Sequence, residues 1–540
     1  MIARHFDRGL QALLGLAIVA GLIGAFVQLD RSSFWYDELF TAWVSTADAS
    51  PAHVLGRIST DLHPPVYYFT TYLWSLVFGA GDAGLRSYSA VCAVGAVAIV
   101  FFGLKPVLSL PGRLVAAAIA TGSREWFYMA QNARSYALCL LIGAGLLWLA
   151  VEILRDKGER KAPLIGLCVA SVLGAFSHFF MTFEAVGLCL VLALYVPRRR
   201  IALLVFAGAL VAANELYLKL VIARFARFSV TNTWMSNDPG AYADNLLDAL
   251  KFAGLKEVAI LGLLIGLGIV AWRLGRMAVR AARGRTPDIA AGFATLRALD
   301  PFAVICWAVP VLVFVFSVLS SLLIRPNFTG QNFLVCAPFI WCACGRLYDG
   351  WLGRAGPRAA IAIKLAVTLF LLSMAPVVLG RFVERNEPWK ESAAGVRGFA
   401  ACRGQTIPVV SEDGPYLRDL HFPDLYQGFI YGRYLDGFAP TAIFEHTDIA
   451  AGRMAPDMRA RIRARLTGAG CPILAWDAHT GDNHYAETLM QQLAAVAGPP
   501  APGWRFAKLE YPWYDKVLMG KTTGNPGFIV YVQRDTVAGH

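Results

Sequence analysis

Four ionisable side chains follow the first long apolar segment of this 540-residue chain. Asp37 and Glu38 come directly after the aromatic residues Phe34–Tyr36, and Asp61 and His63 precede a pair of prolines. Aromatic residues of this kind settle at a membrane–water boundary, and ionisable groups beside a membrane usually have a function. Two carboxylates near one site can supply a base for a reacting hydroxyl group. The stretch therefore predicts acid–base chemistry on a loop at a membrane surface.

Each of these residues also has a structural explanation. Asp37 and Glu38 could be an acidic pair at the start of a surface helix, where negative charge complements the helix dipole. Asp61 could cap a helix that begins at the prolines. His63 could be an interfacial residue that only makes hydrogen bonds. These alternatives stay open at the level of the sequence.

A second set of polar residues suits the binding of a phosphate group. Arg86, Gln131 and Arg134 lie at the ends of apolar segments. An arginine that faces a helix bundle can bind two phosphate oxygens at once, which a lysine cannot do. The alternative is that these side chains extend into lipid headgroups. His178 and Glu184 bracket a tight turn, and buried ionisable groups of this kind are also functional candidates.

The elements that must position these residues are membrane helices. Hydrophobic residues form 57% of the chain and charged residues 16%, whereas soluble proteins have about 25% charged residues. We predict eleven spans, with twelve or thirteen as alternatives. They are Leu10–Leu29, Arg86–Leu104, Leu114–Met129, Ser135–Leu154, Leu164–Phe180, Phe180–Val196, Ile201–Ile222, Val258–Trp272, Phe302–Leu323, Phe333–Leu347 and Ile361–Leu379.

Basic residues predict the orientation of these spans, because Lys and Arg collect in cytoplasmic loops. If Pro65–Phe78 lies at the interface and does not cross, most basic clusters become cytoplasmic. The loop 30–85, the polar residues described above and the C-terminal region then share the outer side. The net charge of +12 follows from this topology and from contact with anionic lipid. It does not indicate nucleic-acid binding.

The chain divides into a membrane domain, residues 1–380, and a C-terminal domain, residues 381–540. Short β-branched runs in the second domain alternate with helical segments, which predicts a small α/β domain outside the membrane. The predicted strands are Ile407–Val410, Ile473–Ala475 and Phe528–Val532, and the predicted helices are Lys390–Ala401 and Met454–Leu466.

Two of the ten cysteines, Cys402 and Cys471, each precede a predicted strand. Parallel strands would bring both to one edge of the sheet, and the bacterial periplasm is oxidising, so we expect a disulfide between them. The alternative is two unpaired cysteines in a small core. The other eight lie in apolar segments, and Cys342-x-Cys344 has no partner at metal-ligand spacing.

Five motifs resemble those of one family, the membrane-embedded GT-C glycosyltransferases. The closest likeness is to the bacterial relatives of the protein O-mannosyltransferases and of the aminoarabinose transferases, and it covers most of the chain. The motifs are Trp35-Tyr36-Asp37-Glu38, the segment D-x-H-P-P-x-Y-Y at 61–68, Leu85-Arg86-Ser87, the segment Q-x-x-R-x-Y at 131–136, and the opening of the C-terminal domain at 386–391.

The resemblance implies an inverting enzyme of a bacterial inner membrane, with its active site and C-terminal domain on the periplasmic side. A polyprenyl-monophosphate sugar would be the donor, and a lipid, a glycan or a protein the acceptor. It implies no cofactor and no essential metal. The implied catalytic residues are Asp37, Glu38 and Asp61. The implied donor-phosphate residues are His63, Arg86, Gln131, Arg134, Tyr136 and His178.

The chain departs from the family at one helix. Where relatives often have an Arg-Tyr pair, it has Gln331-Asn332-Phe333, and Arg325 is our substitute for that phosphate contact. Functions of other classes remain possible. The intramembrane charges could line the pathway of a transporter or flippase for lipid-linked saccharides, or the chain could be a non-catalytic protein of envelope assembly.

Overall fold

The computed structural model describes most of the chain. The described residues are 2–46, 49–59, 63–225, 238, 240, 242–244, 298–323, 327–379, 385–411, 429–435, 438, 440–468, 470–479, 484–511, 514–515, 521–522 and 527–535. They belong to two compact units. The first contains Met1–Val27, Leu55–Trp74 and Leu85–Phe382, and the second contains Gln28–Val54, Ser75–Gly84 and Val383–His540.

Helices form most of the first half of the chain. In order they are α1 (Ile2–Gly24), α2 (Tyr36–Val44), α3 (Pro51–Ile58), α4 (Pro65–Phe78), α5 (Asp82–Ala98), α6 (Leu110–Gly122), α7 (Arg124–Ala130), α8 (Tyr136–Arg155), α9 (Lys161–Ala175), α10 (Phe180–Tyr195) and α11 (Arg200–Phe225). They continue with α12 (Pro301–Leu323), α13 (Gly330–Phe333), α14 (Ala337–Arg354) and α15 (Pro357–Leu379). Short π and 3₁₀ turns follow α5, α10 and α13.

Six helical segments are long and apolar enough to cross a membrane, and three more helices of the described residues are shorter and apolar. Ten of the eleven predicted spans coincide with helices, and Val258–Trp272 lies outside the described residues. The polytopic α-helical class predicted from composition is therefore confirmed. The number of spans stays a prediction.

Two of these ten predicted spans differ from the helices in their bounds. Leu114–Met129 is divided into α6 and α7, because Ser123 takes an extended backbone and its Oγ accepts a hydrogen bond from the Trp126 backbone at 3.1 Å. Such a side-chain cap starts a new helix. The other is Phe333–Leu347. Its long helix, α14, begins only at Ala337, and Pro338 at the second position has the fixed φ that suits a first turn.

The segment Pro65–Phe78, whose crossing the sequence left in doubt, forms the 14-residue helix α4. At 1.5 Å per residue this helix is about 21 Å long, shorter than the hydrocarbon core of about 30 Å. Helices α6 and α9, which coincide with predicted spans, are of similar length, 13 and 15 residues. The interfacial position of α4, and the side of the membrane on which the later loops lie, therefore stay predictions.

The C-terminal region, in the second unit, contains a five-stranded mixed sheet. Its strands are β2 (Ile407–Ser411), β3 (Thr441–Glu445), β4 (Ile473–Asp477), β5 (Trp504–Tyr511) and β8 (Gly527–Arg534), in the spatial order β3-β2-β4-β8-β5. The first three are parallel and the last two are antiparallel to their neighbours. A smaller antiparallel sheet contains β1 (Arg385–Asn386), β6 (Tyr514–Asp515) and β7 (Lys521–Thr522).

Four helices of this region lie between the strands, namely α16 (Trp389–Gly398), α17 (His446–Ala450), α18 (Pro456–Leu466) and α19 (Tyr485–Ala497). Apolar residues of β4 and β8 form a buried core with the last two of these helices. The predicted α/β class is confirmed. Helix α16 is shorter than predicted, since it ends at Gly398 and not at Ala401.

A disulfide joins Cys402 and Cys471, the two cysteines paired from the sequence, with their Cα atoms 4.3 Å apart. They lie just before the parallel strands β2 and β4. The buried Arg465 guanidinium donates to the carbonyl groups of Thr406 and Ile473, beside the starts of the same two strands. Burial lowers the pKa of Arg465 to about 10. Because this pKa is still well above 7, the side chain stays charged at neutral pH.

Removal of the disulfide should destabilise the C-terminal region strongly. The bridge closes a loop of 69 residues, and the loss of chain entropy on closing such a loop corresponds to roughly 4 kcal/mol. We expect Cys402→Ser/Cys471→Ser to lower the melting temperature of this region by about 10 °C or more. Thiol counting on the unfolded wild-type protein should give eight reactive groups without reductant and ten with it. Ten without reductant would contradict the bridge.

Candidate functional site

Asp37 lies at the second position of helix α2, in the second unit, and its side chain is half-buried. The neighbouring Glu38 is buried, and its Oε2 accepts a hydrogen bond from the Trp35 backbone N–H at 3.3 Å. A glutamate that bonds back to the residue before its helix stabilises the helix start. This contact supports the structural explanation for Glu38, whereas Asp37 is the acid whose side chain is partly exposed.

The start of helix α2 is held by a residue from the C-terminal region. Glu387 Oε2 accepts hydrogen bonds from the Tyr36 backbone N–H at 2.7 Å and from Trp389 Nε1 at 2.9 Å. The Glu387 carbonyl accepts a third from the Ser33 hydroxyl at 2.6 Å. The first N–H groups of a helix have no partner inside the helix, so a carboxylate at this place satisfies one of them and complements the helix dipole.

His479 completes this arrangement. Its Nδ1 lies 3.3 Å from Glu387 Oε1, and its ring stacks on the Tyr36 ring with centroids 4.8 Å apart and planes inclined by 16°. Glu387 is almost fully buried, whereas the His479 side chain is 40% exposed. Tyr36, which directly precedes Asp37, is therefore held at its backbone by Glu387 and at its ring by His479.

Further polar contacts connect Asp82 and Phe34 with residues of the C-terminal region. Asp82 accepts from Arg433 Nη2 at 2.9 Å and from the Tyr434 hydroxyl at 2.9 Å, and it lies 2.8 Å from Lys390 Nζ. The Arg433 guanidinium covers the ring of Phe34 at 4.8 Å, while the Tyr434 hydroxyl accepts from the Phe34 backbone N–H at 2.9 Å. The residues just before Asp37 thus belong to a dense polar network.

In the first unit, the structure brings three of the predicted phosphate-binding residues together. Arg134 is buried, and its Nη2 lies 3.1 Å from His63 Nε2. Its Nη1 donates to the Tyr68 hydroxyl at 3.4 Å. The cluster therefore combines a buried guanidinium with imidazole and phenol groups, which all can bind the oxygens of an anion.

His178 belongs to the same cluster. It lies in the turn between α9 and α10, with its ring 5.6 Å from that of Tyr136. The His178 side chain is buried. Its Nδ1 accepts from the Phe180 backbone at 3.3 Å, which assigns the proton to Nε2.

The remaining predicted residues have different environments. Tyr136 contacts Gln331 Oε1 through its hydroxyl at 3.4 Å, and Arg86 is buried in helix α5. Gln131 donates to the carbonyls of Val27 at 2.8 Å and Gly24 at 3.2 Å. Both carbonyls lie at the C-terminal end of α1, and that of Gly24 also accepts from the Val27 N–H at 3.1 Å. The Gln131 amide group therefore serves as an additional donor at this helix end.

Two predicted residues, Asp61 and Arg325, lie outside the described residues. Reasoning from the sequence did not single out Glu387 and His479, which the structure places beside the start of helix α2. Glu387 lies within the motif at 386–391, beside Pro388 and Trp389, and this motif was its only signal. His479 follows a strand and has no motif around it, so nothing in the sequence marked it.

Glu184, a candidate from the sequence, is completely buried in α10. Neither of its carboxyl oxygens has a hydrogen-bond partner among the described residues. Gly143 on α8 makes room for it, because a Cβ atom there would lie 3.0 Å from Glu184 Oε1.

Groups of three or more metal-binding side chains are absent from the described part of the chain.

No protein-family model matches the chain, and no curated protein sequence matches it. Solved structures do. Over 98% of both chains, it aligns with ArnT from Cupriavidus metallidurans in the apo state, at 12% identity and a TM-score of 0.51. The same protein bound to undecaprenyl phosphate aligns over 95% of this chain and 97% of that chain, at 13% identity and a TM-score of 0.49.

A further match is the archaeal oligosaccharyltransferase AglB from Archaeoglobus fulgidus in complex with an inhibitory peptide and a dolichol-phosphate. It covers 79% of this chain and 63% of that chain, at 10% identity and a TM-score of 0.35. At these identities the likeness concerns the fold and assigns no role to any residue. The alignment with ArnT over nearly the full length of both chains shows that this chain has the same fold as ArnT.

Proposed function

We propose that the protein is an inverting glycosyltransferase that moves a sugar from a polyprenyl monophosphate to an acceptor at the periplasmic face of a bacterial inner membrane. The observation that supports this most is the cluster of Arg134, His63 and His178, in which Arg134 and His178 are buried. A guanidinium beside imidazole rings can bind the oxygens of the leaving phosphate of such a donor.

The reaction is a single displacement. Asp37 accepts the proton of the acceptor hydroxyl, whose oxygen forms a bond to the anomeric carbon. The bond between that carbon and the phosphate oxygen breaks on the opposite face, and its electron pair stays on the departing polyprenyl phosphate. Attack from the opposite face inverts the anomeric configuration.

Arg134 and Arg86 stabilise the negative charge of the departing phosphate, and His63 and Tyr136 donate hydrogen bonds to its oxygens. The His178 ring packs beside that of Tyr136 and holds it in place. We expect transfer to proceed in the presence of a metal chelator, because these side chains provide the charge compensation. The acceptor is a lipid, a glycan or a protein. The similar structures of ArnT and AglB contain an undecaprenyl phosphate and a dolichol-phosphate, respectively.

Replacement of Asp37 by Asn should reduce transfer strongly without loss of the fold. The amide is nearly isosteric with the carboxylate but cannot accept a proton, so we expect turnover to fall by about 10²-fold or more. Release of undecaprenyl phosphate from undecaprenyl-phosphate-linked mannose, arabinose and aminoarabinose, tested separately, measures turnover. The matched control is Asp30→Asn in the same loop, which should behave like wild type. Wild-type turnover in Asp37→Asn would refute the mechanism.

The Arg134→Lys variant should bind the carrier phosphate more weakly. A lysine keeps the charge but loses the planar pair of donors, so we expect the Kd for undecaprenyl phosphate to rise about tenfold or more. The control is Arg113→Lys, because Arg113 donates to the Phe101 carbonyl and belongs to no candidate site. Equal affinities of both variants would show that Arg134 does not bind the phosphate. Tight binding together with no transfer by the wild type would favour a flippase.

The orientation in the membrane is tested by reporter fusions. A reporter fused after Arg200 should be cytoplasmic and one fused after Arg381 periplasmic, because Lys and Arg collect in cytoplasmic loops. Alkaline phosphatase and green fluorescent protein give opposite signals on the two sides. A cytoplasmic result after Arg381 would mean that the span count, or the treatment of Pro65–Phe78, is wrong.

A further inference from the structure

Helix α2 begins with Asp37 in its first turn, so the position of the Asp37 carboxylate depends on the hydrogen bonds that hold this helix start. Glu38 accepts from the Trp35 N–H within the helix. Ser33 and Tyr36 donate to Glu387, which lies more than 350 positions away in sequence.

Glu387 is unusual in that it makes several such contacts from a nearly fully buried position. Its Oε2 binds the Tyr36 N–H and the Trp389 indole, and its Oε1 faces His479. Burying a carboxylate costs several kcal/mol unless its oxygens are satisfied. Two of these partners concern Tyr36, since its N–H bonds to Glu387 directly and His479 stacks on its ring.

We infer that Glu387, with His479, is a positioning residue that sets the location of the Asp37 carboxylate through the backbone of Tyr36. This inference rests on the proposed function only in taking Asp37 as the base. Glu387 itself touches neither donor nor acceptor in this account. Its removal therefore affects the rate of transfer and leaves the binding of the carrier phosphate unchanged.

Two variants of Glu387 should lower kcat to different extents. Glu387→Gln keeps one oxygen that can accept the Tyr36 N–H but loses the negative charge at the helix start. Glu387→Ala loses both. Because a displacement of about 1 Å at a reacting group can cost about 10²-fold in rate, we expect kcat to fall about tenfold in the first variant and about 10²-fold in the second. KM for the donor should stay within about twofold.

The first test needs no substrate. Hydrogen exchange of the full-length protein in detergent is followed by mass spectrometry on the peptide that covers Phe34–Val44. Loss of a charge-assisted hydrogen bond should speed the exchange of this peptide about tenfold in Glu387→Ala. The control is Glu487→Gln, an exposed carboxylate paired with Lys508 in the same region, which should leave the peptide unchanged. Unchanged exchange in Glu387→Ala would overturn the inference.

The second test is a double-mutant cycle with Asp37→Asn, measured with the same undecaprenyl-phosphate-linked sugars. If Glu387 acts through Asp37, Glu387→Gln should lower the residual rate of Asp37→Asn by less than about twofold. An equal tenfold loss in both backgrounds would overturn the positioning role, because it would show that Glu387 acts independently of Asp37. Failure of the proposed function gives a different result, namely an Asp37→Asn variant with wild-type turnover, and the hydrogen-exchange test still decides the inference in that case.

Discussion

The candidate base depends on the hydrogen bonds that hold the start of helix α2. Glu38 accepts from the Trp35 N–H within the helix, and the Glu387 carboxylate accepts from the first N–H of the helix, that of Tyr36. The same carboxylate binds Trp389 and faces His479, so that the helix start and the C-terminal region are joined by one buried anion. A carboxylate buried in this way is stable only if all of these partners are present, which makes the arrangement cooperative.

The cluster around Arg134 also contains a buried charge. A buried guanidinium needs groups that stabilise its charge, and His63 and Tyr68 lie within contact distance of it. Guanidinium, imidazole and phenol groups can all bind the oxygens of an anion.

Much of the fold could be predicted from the sequence, because long apolar segments and short β-branched runs are strong local signals. The break at Ser123 was missed, since apolar residues continue on both sides of it and only the serine marks the new helix start. In the C-terminal region, β3 and β5 were missed. Both are mostly only partly buried, and polar or charged residues interrupt their apolar ones, whereas β4 is fully buried. Pairing of Cys402 with Cys471 followed from the strand positions.

The site was less predictable than the fold. Residues with motifs around them, such as Arg134 and His63, were found from the sequence and lie together. Gln131 also has a motif, yet its amide caps helix α1, which no local pattern could indicate because its partners are about 105 positions earlier. Glu387 and His479 depend on contacts between distant segments, and such contacts follow from the tertiary fold alone.

The most direct test of glycosyl transfer is mass analysis of the envelope lipids, glycans and proteins of cells with and without the gene. Loss of the enzyme should remove a single sugar residue from one class of envelope molecule and should lead to accumulation of the corresponding polyprenyl-phosphate-linked sugar. The gene carrying Asp37→Asn should fail to restore the sugar. An unchanged set of envelope molecules, or full restoration by Asp37→Asn, would contradict the account.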